Sequence, residues 1–165
     1  MSREETPAQS TEKDLSAEMY YTKLVEKYSD MVTRLCVMHS ASVWDAEDCY
    51  QNTFFKLYEA LGRGVVDSPK AWLIRVCLNE CHSLMRKRLR RMTVSLDELE
   101  IAAEDKSGIE TLDAVWSLSP KYRDVIYLYY YEDMSVTEIA QALLIGENTV
   151  KTRLRRARQK LKDIL

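Results

Sequence analysis

The chain has 165 residues and a formal net charge of −2, so its composition does not predict a uniformly basic coat for nucleic acid. Its length allows one ordinary domain or two small ones. With only 4 glycines and 3 prolines, and with abundant helix-forming residues, the composition favours an all-helical fold. No apolar run is long enough to cross a membrane and no secretory leader is visible, so we expect a cytoplasmic protein without membrane insertion.

The charged residues are concentrated in blocks along the chain. Residues 86–91 form a basic block without an acidic residue, and residues 151–162 form a second one. Residues 97–113, between the two, are predominantly acidic. Two basic blocks separated by acidic residues predict two distinct contacts with a polyanion.

The first half of the chain predicts a tail and a group of helices. Residues 1–14 are polar, and we expect them to form a disordered tail. Apolar positions at helical spacing begin near Leu15, a second helix is predicted from Asp45 to Gly62, and a third begins with Pro69. We assign residues 15–92 to the first small domain.

The second half predicts a linker and a second domain. Residues 93–111 are acidic with little periodicity, and we interpret them as a linker. Residues 112–165 form the second domain, with helices opening at Ser119–Pro120 and at Ser135. The tyrosines between 127 and 131 point in several directions on a helix, so we expect some in the core and the others at the surface. The predicted fold class is therefore all-α, with two small helical domains.

The cysteines could be metal ligands or buried thiols. They are Cys36, Cys49, Cys77 and Cys81. His39 and His82 lie close to three of them in sequence, but the chain lacks the closely spaced Cys-x-x-Cys pairs of strong zinc sites. We interpret the cysteines as small buried side chains in a reducing compartment, and we predict neither a metal nor a cofactor.

The segment "SVTEIAQALLIGENTVKTRLRRARQKL" predicts two helices separated by a short turn. Ser135 and Glu138 match a capping box that starts the first helix. The break falls at "LIG", and Gly146 is the expected N-cap of the second helix. A short helix, a tight turn and a basic helix together predict a helix-turn-helix.

The second of these helices has one apolar stripe. When Val150 is placed at zero degrees, Leu154, Ala157 and Leu161 fall within about 40° of it. Most basic helices only present a charged face to solvent, but here the outer face carries groups that contact base edges and phosphates. The predicted DNA-contacting residues are Asn148, Thr149, Lys151, Thr152, Arg155 and Arg156.

These motifs resemble those of a known family. "LSPKYRDVIYLYYYEDMSVTEIAQALLIGENTVKTRLRRARQKL" resembles region 4 of bacterial sigma factors. "WDAEDCYQNTFFKLYEAL" followed by "SPKAWLIRVCLNECHSLMRKR" is similar to region 2. No region 3 lies between them, which is the layout of extracytoplasmic-function (ECF) sigma factors. The first domain is then a region 2 bundle and the second a region 4 helix-turn-helix.

The turn before the last helix departs from the family pattern. The family usually has Leu-Gly-Ile there, whereas this chain has Leu144 at the glycine position. If that position needs a positive φ, Leu144 is strained unless Gly146 reshapes the turn.

One face of the second predicted helix has the character of a protein-binding surface. An exposed Phe55 among polar groups is expected from the helical spacing, and exposed aromatics of this kind occur at interfaces. The resemblance implies that this helix docks on the clamp helices of the largest polymerase subunit. The predicted contact residues are Asp48, Gln51, Asn52 and Phe55.

The resemblance assigns the third helix to the promoter minus-ten element, where a base is extruded from the stack and held in a pocket. The implied contact residues are Arg75, Asn79, Ser83, Arg86 and Lys87, with Arg88 and Arg90 as further phosphate contacts. We interpret Trp72 as a core residue, because its neighbours Leu73 and Val76 are apolar.

The resemblance predicts an RNA polymerase sigma factor. It implies that the last helix reads the minus-thirty-five element. The expected partners are polymerase core, including its clamp helices and flap, promoter DNA and an anti-sigma factor. A stand-alone helix-turn-helix regulator would explain the second domain but not the first. A nuclease or recombinase would need clustered metal-binding carboxylates or an activated nucleophile, and the acids here fall mostly in the linker, so we predict no enzyme.

Overall fold

The computed structural model describes the backbone of residues 7–92 and 110–165, and the side chains of residues 14–92 and 112–165. This part of the chain contains helices and no strand, which confirms the all-α prediction. The helices are α1 (Pro7–His39), α2 (Val43–Gly62), α3 (Pro69–Met92), α4 (Glu110–Ser117), α5 (Pro120–Tyr130), α6 (Val136–Leu143) and α7 (Glu147–Ile164). None of the helices described is long and apolar enough to cross a membrane.

Two predicted segment boundaries differ from the structure. Helix α1 begins at Pro7, so residues 7–14, predicted as tail, are helical. Their alanine, glutamine, glutamate and lysine residues favour a helix without giving it an apolar stripe, and a search for periodicity therefore overlooks them. Most of the predicted linker lies outside the described residues, and its last two positions begin α4.

The first domain is a bundle of α1, α2 and α3 around an apolar core. Leu35, Leu57 and Leu73, one from each helix, are fully buried there. Ser42 starts α2 because its hydroxyl accepts a hydrogen bond from the Asp45 backbone N–H at 3.1 Å. The half-buried Trp72 packs against this core, as predicted.

The second domain packs α5, α6 and α7 around a core that includes Leu128, Ile139 and Leu154. The predicted capping box at the start of α6 is present: Glu138 N–H donates to Ser135 Oγ at 3.1 Å, and Ser135 N–H donates to a Glu138 carboxylate oxygen at 2.7 Å. These two bonds fix where α6 begins.

The turn between α6 and α7 is strained at one residue. Leu144 has φ 54° and ψ 46°, the left-handed conformation that favours glycine. Gly146 is the predicted N-cap of α7, but its φ is −69°, so it does not take over the positive φ. The Leu144 side chain is 72% exposed, and little packing compensates for the strain.

We expect Leu144→Gly to raise the free energy of unfolding by about 1 kcal/mol. The left-handed conformation costs a residue with a β-carbon about 1–2 kcal/mol, and glycine removes this cost. Part of the stabilisation is lost because glycine also increases the conformational entropy of the unfolded chain. Chemical denaturation measures the change. Leu144→Ala is the matched control, since it removes the same side chain but keeps the β-carbon. Equal stabilisation by both variants would contradict backbone strain as the cause.

The two domains contact each other through α3 and α6 and through a buried polar cluster. Asp124 of α5 lies with one carboxylate oxygen 3.1 Å from His82 Nε2 and 3.3 Å from His39 Nε2. At the edge, the Arg34 guanidinium donates two hydrogen bonds to the Glu132 carboxylate, at 2.9 and 3.1 Å. These contacts hold the first bundle against the helix-turn-helix.

Candidate nucleic-acid and protein interfaces

Helix α7 has the predicted division into a buried and an exposed face. Val150, Leu154 and Ala157 are buried and Leu161 is partly buried, which confirms the apolar stripe. Five of the six predicted DNA-contacting side chains are exposed, and Thr152 is half-buried. The helix therefore presents amides, hydroxyls and guanidinium groups to solvent along one side.

Helix α5 contributes two residues beside this face that the sequence did not single out. Lys121 and Tyr122, in the first turn of α5, line a groove against α7. The rest of the groove is lined by Asn148, Thr149, Thr152, Arg153 and Arg156. The sequence does show that Lys121 is a basic residue directly after the helix start at Ser119–Pro120. Its position beside α7 depends on tertiary packing and is not visible in the sequence.

Side-chain bonds fix the orientation of α7. Thr137 Oγ1 of α6 donates to a Glu147 carboxylate oxygen at 2.9 Å in the first turn of α7. Near the other end, Arg158 Nε donates to the hydroxyl of Tyr130 in α5 at 2.7 Å. Tyr127 is buried, Tyr129 is half-buried, and Tyr130 and Tyr131 are exposed. This confirms the prediction that some of these tyrosines lie in the core and the others at the surface.

The candidate minus-ten residues of α3 do not all have the same environment. Asn79, Arg86 and Lys87 are exposed, and Ser83 is half-buried. Arg75 is engaged with the second domain, where its Nη1 donates to the backbone carbonyl of Ala142 at 3.2 Å. In this arrangement the Arg75 guanidinium is therefore bound to the second domain. The resemblance implied that it contacts a DNA phosphate.

A second basic residue of α3 is also paired. Arg88 Nη1 lies 2.7 Å from a carboxylate oxygen of Asp45 in α2, with both side chains partly exposed. The resemblance implied a phosphate contact for Arg88, which stays a prediction, and in the free chain its guanidinium pairs with Asp45 between α2 and α3. Sequence spacing could not reveal this pairing, because the two residues are 43 positions apart.

The predicted protein-binding face of α2 is open to solvent. Asp48, Gln51, Asn52 and Phe55 are all exposed, and Phe55 has 62% of its surface accessible. Asn52 Nδ2 donates to Glu80 of α3 at 3.4 Å, and the same carboxylate forms an ion pair with Lys56.

Trp44 belongs to the same face and was missed from the sequence. At 100° per residue, Trp44, Asp48 and Phe55 lie within about 40° of one another on α2. The Trp44 side chain is 77% exposed. Tryptophan is enriched among the residues that carry most of the energy of protein interfaces. Trp44 lies one turn before Asp48, so it extends the candidate surface toward the start of α2.

Comparisons with known families match both domains. The model described as "Sigma-70 region 2" matches residues 24–91, and "Sigma-70, region 4" matches residues 110–161. Together these ranges cover the first bundle and the helix-turn-helix and leave out the segment between them.

Known sigma factors are similar in sequence to most of this chain. The ECF RNA polymerase sigma factor SigE of Mycolicibacterium smegmatis is 29% identical over 164 residues, which cover 92% of this chain and 64% of that protein. SigW of Bacillus subtilis is 29% identical, with 88% of each chain covered. The RNA polymerase sigma-E factor of Streptomyces avermitilis is 33% identical, with 73% of this chain and 71% of that protein covered.

A solved structure has the same fold. The sigma factor RpoE of Bartonella quintana, solved with the anti-sigma factor NepR, matches with a TM-score of 0.70 and 24% identity, over 87% of this chain and 95% of that chain. With both regions matched in order, this chain belongs to the sigma-70 family, among the ECF RNA polymerase sigma factors. Region 2 excludes the stand-alone regulator, which would have only the helix-turn-helix.

Proposed function

We propose that this sigma factor joins polymerase core through the exposed face of α2 and recognises promoters with α7 and α3. The observation that carries the proposal is the separation of two exposed surfaces of different chemistry on one chain. The α2 face combines Trp44 and Phe55 with Asp48, whereas the α7 face is polar and basic. The first suits a protein partner and the second suits duplex DNA.

The α7 face is proposed to read the minus-thirty-five element. Asn148, Thr152 and Arg156 project from the groove that Lys121 also lines. Arginine and asparagine side chains can each form paired hydrogen bonds with one base, and lysine supplies phosphate contact. Affinity should fall steeply with salt, because neutralised phosphates release counterions on binding.

The α3 surface is proposed to open the minus-ten element. Asn79, Arg86 and Lys87 are exposed and available for this contact. Arg75 uses one of its five N–H donors on the Ala142 carbonyl, and separation of α3 from α6 would free the whole guanidinium for DNA. Promoter opening is thus proposed to follow a change in the arrangement of the two domains.

The remaining assignments follow from membership of this family. Sigma factors are transcription initiation factors, and we propose that the chain has no catalytic step of its own. We propose that it works in the cytoplasm with polymerase, whose clamp helices and flap are its contacts. An anti-sigma factor is proposed to hold it inactive, as one is bound to the Bartonella quintana protein.

Run-off transcription with purified polymerase core and a mixed genomic template tests the proposal. We expect discrete new starts, present only when the chain is added, that share two upstream sequence elements. Core binding without new starts would contradict promoter recognition by the chain alone. No core binding would contradict the role of the α2 face.

We expect Arg156→Ala to weaken binding to the minus-thirty-five element about tenfold, since one side-chain contact to DNA contributes about 1–3 kcal/mol. Fluorescence anisotropy with a labelled duplex measures the change. Arg158→Ala is the matched control, because Arg158 carries the same charge on the same helix but bonds to Tyr130. Equal loss in both variants would indicate a general charge effect and contradict a specific role for Arg156.

A further inference from the structure

The core of the first domain contains a cluster of thiols that promoter recognition does not use. Cys36 of α1, Cys49 of α2, and Cys77 and Cys81 of α3 are all buried, each with at most 1% of its surface exposed. Every helix of the bundle thus contributes at least one sulfur to the same region of the core.

The sulfurs are close enough to share one ion. The Sγ atoms of Cys36, Cys77 and Cys81 all lie within 4.8 Å of one another, and Cys36 and Cys77 are 3.4 Å apart. Zinc–thiolate bonds of about 2.3 Å in a tetrahedron place sulfurs about 3.8 Å apart. Small side-chain rotations would therefore bring these three atoms into ligand positions.

Cys49 supplies the fourth sulfur beside this group. The Ser40 hydroxyl lies 3.7 Å from the Sγ atoms of both Cys49 and Cys81, so it places Cys49 next to the group of three. A hydroxyl that donates to ligand sulfurs is the kind of outer contact that orients ligands and stabilises thiolates in metal sites.

An all-sulfur set also defines the class of ion. Thiolates select soft or borderline ions such as zinc over magnesium and calcium, which prefer oxygen. A single buried cysteine is commonly a small apolar side chain, but three sulfurs within 4.8 Å of one another, with a fourth cysteine beside them, are arranged as ligands are.

We propose that Cys36, Cys49, Cys77 and Cys81 bind one Zn²⁺ ion that ties the three helices of the first domain together. On binding, the four thiols release four protons to solvent and each sulfur forms one bond to the metal. The structure confirms that the four cysteines are free and buried, and the proposal adds a metal ion to them. Sequence spacing did not predict it, because only Cys77 and Cys81 are on the same helix.

The site would also support the contact between domains. Cys36 lies one turn before His39, and Cys81 is adjacent to His82, and both histidines contact Asp124 of the second domain. Because the sulfurs are buried, the ion would enter as the bundle folds, and its loss would loosen the helices that position the two histidines.

The test uses the full chain, unfolded and refolded under reducing conditions with Co²⁺ or Zn²⁺ as the only added metal. We expect one Co²⁺ per chain, with the intense visible and near-ultraviolet absorption of tetrahedral thiolate coordination, and displacement of Co²⁺ by Zn²⁺. The melting temperature should rise with either metal. A refolded, helical wild-type chain without thiolate–cobalt absorption would overturn the proposal, whatever the variants do.

Variants identify the ligands. Cys77→Ala should weaken metal binding by more than about a hundredfold, and Cys49→Ala should change the cobalt spectrum to that of a site with three sulfurs. Ser40→Ala is the matched control: it removes a hydroxyl beside two sulfurs but no ligand, so the spectrum should persist with affinity reduced by about tenfold. Unchanged binding in Cys77→Ala would also overturn the proposal.

Discussion

Asp124→Ala is expected to weaken the contact between the two domains by about 2 kcal/mol, the usual contribution of a buried hydrogen bond to a charged group. Asp124 is 5% exposed and reaches across the interface to His39 and His82. Without the carboxylate of Asp124, His82 loses its hydrogen bond to this residue, and the fully buried His39 loses its 3.3 Å contact and keeps the bond between its Nδ1 and the Leu35 carbonyl, at 3.0 Å.

The charge of Asp124 is stabilised where it lies. Burial opposes its ionisation, but the contacts with His39 and His82 outweigh burial and hold the pKa of the carboxyl below its ordinary value. A carboxyl whose folded pKa is depressed stabilises the folded arrangement above its unfolded pKa, and that contribution is lost as the pH falls through the folded value. The stabilisation of the domain contact by ionised Asp124 should therefore persist at neutral pH and disappear only below about pH 4.

Small-angle X-ray scattering and chemical denaturation measure the effect of Asp124→Ala. We expect a larger radius of gyration and a lower midpoint of unfolding than in the wild-type chain. Asp163→Ala is the control, since Asp163 is exposed and accepts a bond from Gln159 on its own helix. An unchanged radius of gyration in Asp124→Ala would show that the cluster around Asp124 does not hold the domains together.

Features set by local chemistry could be predicted from the sequence. The capping box at Ser135, the end of α2 at Gly62 and the buried stripe of α7 each depend on residues within a few positions of one another. The exposure of Phe55 followed from helical spacing alone. Most candidate contact residues are exposed, as helical spacing predicts, and their contacts with DNA and polymerase stay predictions.

Features set by packing between distant segments could not be predicted in this way. Arg75 bonds to a carbonyl 67 positions away, and Arg88 pairs with a residue of another helix. The sulfurs of Cys36, Cys77 and Cys81 come together from α1 and α3, and the relative rotation of these helices is decided by the whole core. Leu144 is an intermediate case, because the family comparison indicated the positive φ and only the structure decided that Gly146 does not remove it.

The role of the α2 face can be tested separately from DNA binding. We expect Phe55→Ala to weaken the binding of polymerase core by about 2 kcal/mol, or roughly thirtyfold, because exposed aromatics at the centre of an interface carry much of its energy. Adding Asp48→Ala should weaken binding further. Both side chains are exposed in the free chain, so the free energy of unfolding should change by less than about 0.5 kcal/mol.

Tyr58 provides the matched control for Phe55. It is an exposed aromatic of the same helix, 53% accessible, but it faces α1 and meets the Tyr21 ring edge-on at 5.4 Å between centroids. Core pulldown and titration by fluorescence should show normal binding for Tyr58→Ala and a loss for Phe55→Ala, while both retain affinity for a minus-thirty-five duplex. If Phe55→Ala binds core normally, the face defined by Trp44, Asp48 and Phe55 is not the polymerase contact. If Phe55→Ala loses DNA affinity as well, its effect is on the fold and not on the interface.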